Sequence, residues 1–280
     1  MTAPSAPPEP ADADTRVSGV VVTYNDARHL DECLSALSFC DELVVVDLGS
    51  HDGSVTIAET RGARIVHHPW VAVVEQVRRF AVDQARFEWI AFMDPDMIFP
   101  TRLVPRVRET IAHSRQTRII GVPYRNYFLG QPVRHGRWGG SPVYPAVFHR
   151  DAFDLQSDVH RGFAARDGAT WTVLSVPRDE EIVHHWVEKR SDMDARARRY
   201  ATLEGEARYG QGERFSWARL FFEVPRSFAS SLIRDSGYRD GLHGVLLSFY
   251  AARLTGTFLL ALRRVENHSG MPSSPAGGTS

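Results

Sequence analysis

The 280-residue chain is almost without lysine: Lys189 is the only one, and the rest of its basic residues are arginines. With 33 basic and 34 acidic residues the net charge is −1, which offers none of the basic excess that nucleic-acid binding needs. Cysteine is also scarce. Cys33 and Cys40 are the only two; on one helix they would stand about 10 Å apart, too far to bridge. Free thiols in a reducing cytoplasm are therefore expected. No G-x-G-x-x-G and no G-x-x-x-x-G-K-[ST] occurs, which excludes the ordinary dinucleotide fingerprint and the P-loop. No apolar run reaches the roughly 18 uninterrupted residues of a membrane span. The opening MTAPSAPPEPADADT has no apolar core and does not read as a signal peptide. Residues 1–16 and 267–280 are expected to be disordered tails.

What the chain does have is regular alternation. VSGVVVTYN (17–25) and ELVVVDLGS (42–50) are β-branched runs that read as strands buried on both faces. ARIVHHP and EWIAFMDPD read as a third and fourth strand. Between them, Leu30, Cys33, Leu34 and Leu37 recur at helical spacing, as do Val74, Val77, Ala81 and Val82. SVTIAETRG supplies a short helix between them, ending near Gly62. Strand–helix alternation repeated three times predicts an α/β fold with a mostly parallel, helix-covered sheet. Beyond residue 100 the pattern mixes, with a helix despite Pro105 and strands in RIIGVPYRNYFLG and SPVYPAVFHRD. From Ser191 to about Glu266 it reads as helical. The expected organisation is a domain over 17–190, with a nucleotide-sized half (17–100) and an acceptor-sized half (101–190), then a helical segment over 191–266.

Ligands of open α/β sheets bind at the carboxyl ends of the strands. Three strands here end in polar clusters: Thr23-Tyr24-Asn25-Asp26, Asp47 with Gly49 to Gly53, and Asp94-Pro95-Asp96. Each alone could be a turn or a helix cap; three along one rim indicate a site. Two carboxylates one residue apart repel unless a positive charge lies between them. A hard divalent cation, Mg²⁺ or Mn²⁺, takes one or two carboxylates together with substrate phosphate oxygens, so a metal–diphosphate site is expected at Asp94 and Asp96.

The motifs VVTYND, ELVVVDLGSHDGS, AFMDPD, YRNYFLGQPVRHGRW and SGYRDGLHG resemble those of the family-2 inverting glycosyltransferases of GT-A fold. Within that family they resemble the branch of lipopolysaccharide-core β-glucosyltransferases. The resemblance covers most of residues 17–265. It implies that Thr23, Tyr24, Asn25, Asp47, Asp52, Arg78 and Asp94 line a nucleotide-sugar pocket. It implies that Asp94 and Asp96, as the D-x-D pair, bind the metal, and that His184 completes its shell. The sequence departs from the branch at Pro95, Met97 and Arg161; Arg161 stands where the branch has a glutamate. An inverting transfer needs a general base, and Asp158 and His160 are the nearest candidates.

The function implied is metal-dependent transfer of a UDP-hexose-like sugar to a glycan, lipid-linked or small-molecule acceptor. The alternative is a non-catalytic nucleotide-sugar binding protein on the same fold. Residues 240–264 are largely apolar around Arg253. They read either as a core helix or as an interfacial helix burying Phe249, Tyr250, Phe258 and Leu259 in the inner face of the cell membrane. The expected location is cytoplasmic, with peripheral membrane contact through this segment.

Overall fold

The computed structural model describes residues 14–113, 116–155 and 163–269. The chain divides into two compact units, Met1–Tyr124 with Val143–Val183 and Arg125–Pro142 with His184–Ser280.

In the first unit, β1 (Val17–Thr23), β2 (Glu42–Asp47), β3 (Arg64–His67) and β4 (Trp89–Met93) alternate with α1 (Ala27–Ala36), α2 (Ser54–Thr60) and α3 (Glu75–Asp83). The parallel pairs β1–β2, β1–β4 and β2–β3 make the sheet expected from the alternation. All seven residues of β1 are buried. Its side chains alternate between faces: Val17 and Val21 pack with Leu30, Cys33 and Leu34 of α1, and Val20 and Val22 pack with Val77, Ala81 and Val82 of α3. A strand covered on both sides cannot show an apolar–polar alternation, which is why its sequence is continuously apolar.

Further along come β5 (Met97–Ile98), α4 (Val104–His113), β6 (Thr117–Phe128), β7 (Gln131–Pro132), β8 (Val143–His149), β9 (Phe153–Asp154), β10 (Ala164–Ala165), β11 (Thr170–Val173) and β12 (Ile182–Val187). The sheet order is β3-β2-β1-β4-β8-β6-β12-β5. β8 runs antiparallel to both β4 and β6, so the mixed character expected after residue 100 is present. Pro105 lies in the first turn of α4, where no backbone N–H is needed. α1 stops at Ala36, so Cys40 lies beyond it rather than on a helix shared with Cys33. Both thiols are free, Cys33 buried and Cys40 half-buried.

The second unit contains the end of β6 paired with β7, α5 (Arg190–Gly210), α6 (Trp217–Ala229) and α7 (Gly241–Ser269). α5 and α7 pack closely. A Cβ at Gly205 would lie 2.9 Å from the backbone carbon of Ala261, so this crossing requires glycine. Residues Gly237–His268 are long and apolar enough for a membrane span by length and composition. However, α7 turns Leu247, Tyr250, Ala251, Leu259 and Leu262 into the protein, each 2% exposed or less. This corrects the assignment of Tyr250 and Leu259 to a bilayer face. Phe249, at 60% exposed, does face outward.

One carboxylate holds two distant motifs of this unit together. Asp240 Oδ2 accepts the backbone N–H groups of Arg134 and His135, each at 2.9 Å, and its Oδ1 lies 2.7 Å from His135 Nδ1. Gly136 stands at φ +83° and donates its N–H to the Asp235 carbonyl at 2.7 Å. The loop RHGRW is thereby tied to SGYRDGLHG.

Candidate active site

Thr23 is in register with Asp47 across β1–β2, and Asp47 with His67 across β2–β3. Val21 is in register with Met93, so Asp94 follows at the same end of the sheet. The three polar strand ends therefore share one rim.

The first two loops of the rim are cross-linked. Asn25, at φ +58°, donates its N–H to Ser50 Oγ at 3.0 Å, and its Oδ1 accepts the His51 N–H at 2.7 Å. Asp26 N–H donates to Ser54 Oγ at 2.9 Å, and Asp52 Oδ2 accepts the Ala27 N–H at 3.0 Å. Thr23 Oγ1 and the Tyr24 N–H both donate to Asp26 Oδ2. Burial works against the charge of Asp52, but hydrogen bonds from Ser54 and Ala27 more than offset it and hold the carboxyl below the usual range. Asp47 is 2% exposed and accepts the N–H groups of Gly49 and Ser50 at 3.1 Å. This folds the glycine loop tightly over the strand end, with Gly49 at φ +88°. His67 Nδ1 lies 3.5 Å from Asp47 Oδ2.

Asp94 and Asp96 flank Pro95 in the turn after β4 and are half-buried. The Asp94 carbonyl accepts the Met97 N–H at 2.9 Å and the Cys33 thiol at 3.5 Å. Their charge is felt by the groups around them. The Cys33 thiol is pushed well up, by burial first and then by Asp96 and Asp94. The phenols of Tyr124 and Tyr144 are raised by burial and then by Asp94. The cation Arg78 works against this at Tyr144, so Arg78 and Asp94 both act on one phenol. Arg78 is 7% exposed, stacks over Phe163 at 4.2 Å, and lies 3.8 Å from Glu75. Two hard oxygen ligands, half-exposed in a negative local field, fit a divalent cation that completes its shell with phosphate oxygens. Among the described residues, neither group of three or more ligands close enough to share an ion includes Asp94 or Asp96.

Sequence reasoning missed three neighbours. Trp70, 54% exposed, meets the Tyr24 ring edge-on at 6.3 Å; its only signal was a tryptophan after the loop HHP. Tyr144 and Phe163 gave no sequence signal. His184 belongs to the second unit. There its Nδ1 lies 2.7 Å from Asn126 Oδ1, and the Asn126 amide donates to the Trp138 carbonyl at 3.1 Å. Because the Asn126 amide nitrogen donates to Trp138, its Oδ1 accepts from the His184 Nδ1–H. Asp158 and His160 lie outside the described residues.

Residues 18–173 match the family model for glycosyl transferase family 2. The chain belongs to that family. As a family-2 glycosyltransferase it has the GT-A fold: the mostly parallel sheet flanked by helices and followed by a long C-terminal helix. It is similar to the lipopolysaccharide core biosynthesis glycosyltransferase LpsC of Rhizobium meliloti (strain 1021), at 25% identity over 90% of this chain and 93% of that protein. An uncharacterized glycosyltransferase of Rickettsia felis is 29% identical over 75% of this chain and 76% of its own length. Among solved structures, glucosyl-3-phosphoglycerate synthase from Mycobacterium tuberculosis with phosphoglyceric acid aligns at TM-score 0.44 and 17% identity, covering 68% of this chain and 78% of that one.

Proposed function

We propose that this glycosyltransferase moves a hexose from a nucleoside diphosphate donor of UDP-hexose type to a glycan hydroxyl, with inversion. The observation that carries the reading is the shared rim: Thr23 and Asp47 in register, with Asp94 at the same end of the adjoining parallel strand. Tyr24 and Trp70 present ring faces suited to a nucleobase, and the cross-linked Asn25 and Asp52 loops hold that wall rigid. Asp47 fixes the glycine loop against which the ribose and diphosphate would lie. Asp94 and Asp96 would hold Mg²⁺ or Mn²⁺. When bound, the ion supplies positive charge where the leaving diphosphate develops negative charge. Arg78 supplies a fixed, protein-borne positive charge in the same region. We propose His184 as a metal ligand. Its support is the Nδ1 hydrogen bond, the arrangement that orients ligating histidines. Asp158 and His160 remain the candidate bases.

The glycan acceptor is favoured by similarity to LpsC, whose name assigns it to lipopolysaccharide core biosynthesis. Arg161, where the resembling branch has a glutamate, favours the second reading of a non-catalytic nucleotide-sugar binder. Incubation with UDP-hexoses separates the two: sugar released to water or to acceptor supports the enzyme, and tight binding without turnover supports the binder.

The donor wall is tested by calorimetric titration with UDP. Asp47→Ala is expected to weaken UDP by about 1.5–3 kcal/mol, the scale of a hydrogen bond to a charged group. Unchanged affinity would return Asp47 to a purely structural role.

We also propose peripheral membrane contact from the cytoplasmic side, through exposed apolar side chains of α6 and α7, of which the sequence reading included Phe249. Phe221, Phe222, Leu242 and Phe249 are each at least 60% exposed. Four large apolar side chains left in water suit an interfacial surface. The wild type should cosediment with anionic liposomes and Phe249→Glu should do so less. A wild type that stays in the supernatant at low salt would remove the membrane from the account.

A further inference from the structure

The second unit contains two adjoining cavities that the donor reading does not use. One, of about 270 Å³, is lined by Trp138, Trp186, Tyr200 and Tyr250 with Arg137 and Arg208. The other, of about 350 Å³, shares Arg137, Arg208 and Thr255 with the first and adds Arg226, Arg234, Ser227 and Ser231. The first is walled mainly by rings, with Arg196 and Glu204 among them; the second is walled by guanidinium and hydroxyl groups together with the carboxylates of Glu223 and Asp235.

Two features mark this as a built site. Tyr250 is 1% exposed and its hydroxyl has no hydrogen-bond partner, although a buried phenol ordinarily finds one. It lines the aromatic cavity. In addition, the acids nearby are already engaged. Glu204 pairs with Arg208 at 2.9 Å, Glu223 with Arg219 at 2.7 Å, and Asp235 with Arg234 at 2.9 Å. Among the described residues no carboxylate pairs with Arg137 or Arg226. Both are exposed and line the polar cavity, Arg137 over the Trp138 ring at 5.6 Å and Arg226 over the Phe222 ring at 6.0 Å. Their guanidinium forks match phosphate oxygens.

The loop that presents Arg137 and Trp138 is unusually constrained. Asp240 holds two of its backbone N–H groups. A Cβ at Gly139 would lie 2.5 Å from the His135 carbonyl carbon, and one at Gly237 would lie 2.6 Å from the Ser231 oxygen. The two motifs YRNYFLGQPVRHGRW and SGYRDGLHG thus meet to hold one arginine and one tryptophan in place. Trp138 in turn packs on Trp186 at 4.8 Å and on Tyr250 at 5.9 Å.

We propose that the second unit binds a phosphate-bearing saccharide, with the sugar against Trp138, Trp186 and the Tyr250 hydroxyl and the phosphate on Arg137 and Arg226. The apolar C–H face of a pyranose lies flat on an aromatic ring, its hydroxyls satisfy the buried phenol, and its phosphate takes the unpaired guanidiniums. This assignment rests on the glycosyltransferase reading in one respect: it names the acceptor as anionic.

Calorimetry with glucose 6-phosphate, glucose and inorganic phosphate tests it, alongside phosphatidylcholine vesicles with and without a lipid bearing a hexose-phosphate headgroup. We expect the sugar phosphate to bind, with glucose and inorganic phosphate each about tenfold weaker. Arg137→Met should cost about tenfold and Tyr250→Phe, which keeps the ring, about threefold; both should leave UDP affinity unchanged. Binding of the soluble sugar identifies a free sugar phosphate, and binding only to the loaded vesicles identifies a lipid headgroup. Binding in neither arm, or equal binding by wild type and both variants, overturns the site. Inorganic phosphate binding as tightly as the sugar phosphate overturns its saccharide half. A wild type that binds the sugar phosphate but not UDP overturns the donor reading instead.

Discussion

Asp94→Asn or Asp96→Asn is expected to lower sugar transfer by about two decades or more, with the fold intact. That is the scale for removing a group that stabilises charge in the transition state. The two acids end a strand whose apolar residues, Trp89 to Met93, are all buried, and the carboxylates lie beyond that core, so their loss removes charge and not packing. Excess chelator should reproduce the defect in the wild type and add little in the variants. A second readout is independent of activity. Tyr124 and Tyr144 are held above the ordinary tyrosine value by burial first and by Asp94 second. In Asp94→Asn both phenols should ionise at lower pH than in the wild type, while burial keeps them above the ordinary value of about 10. Ultraviolet titration of tyrosinate measures this. Full transfer activity in the variants, or in chelator, would remove the two acids from the mechanism.

How much of this was legible in the sequence depends on whether the signal was local. β1, β2 and β4 were readable because a strand buried on both faces must be continuously apolar, and their polar ends announced the rim. The helices α1 and α3 were readable from Leu30, Cys33 and Leu34 and from Val77, Ala81 and Val82, which repeat at helical spacing and are buried. The hydrogen bonds that tie Asn25 to Ser50 and Asp52 to Ala27 were not readable, because residue type gives a loop's propensity and not its partner. Trp70 shows the same limit: periodicity says nothing about an exposed ring in a loop. On α7 the run from Val245 to Leu262 is apolar enough for either a core or a surface. Its orientation was decided by α5, where Gly205 admits close packing, and that is a tertiary fact. Nor does any local pattern in residues 125–142 foretell that they group with the helices after residue 184.

Asp240→Ala should destabilise the second unit by about 3 kcal/mol, roughly two decades in the ratio of folded to unfolded. The side chain is 10% exposed and satisfies three donors at once: the Arg134 N–H, the His135 N–H and the His135 ring. Truncation leaves all three without their acceptor in a loop where Gly136 and Gly139 leave little room to relax. Asp240→Asn keeps the shape and one acceptor oxygen but loses the charge, so its cost should be about half as large. The same carboxylate sets a pH dependence. Burial opposes its charge, yet hydrogen bonds from His135 and Arg134 prevail, and its folded-state value is lowered. A lowered folded value means that the unfolded chain binds the proton more readily. The contribution is therefore complete above the unfolded carboxyl value of about 4 and is lost as pH falls through the lower folded value. Urea denaturation at pH 7 and below pH 4 measures both effects. The wild type should lose midpoint on acidification with little change in slope, and Asp240→Ala should start lower and lose less. An Asp240→Ala midpoint equal to that of the wild type at pH 7 would show that the RHGRW loop is held by its glycines and packing alone.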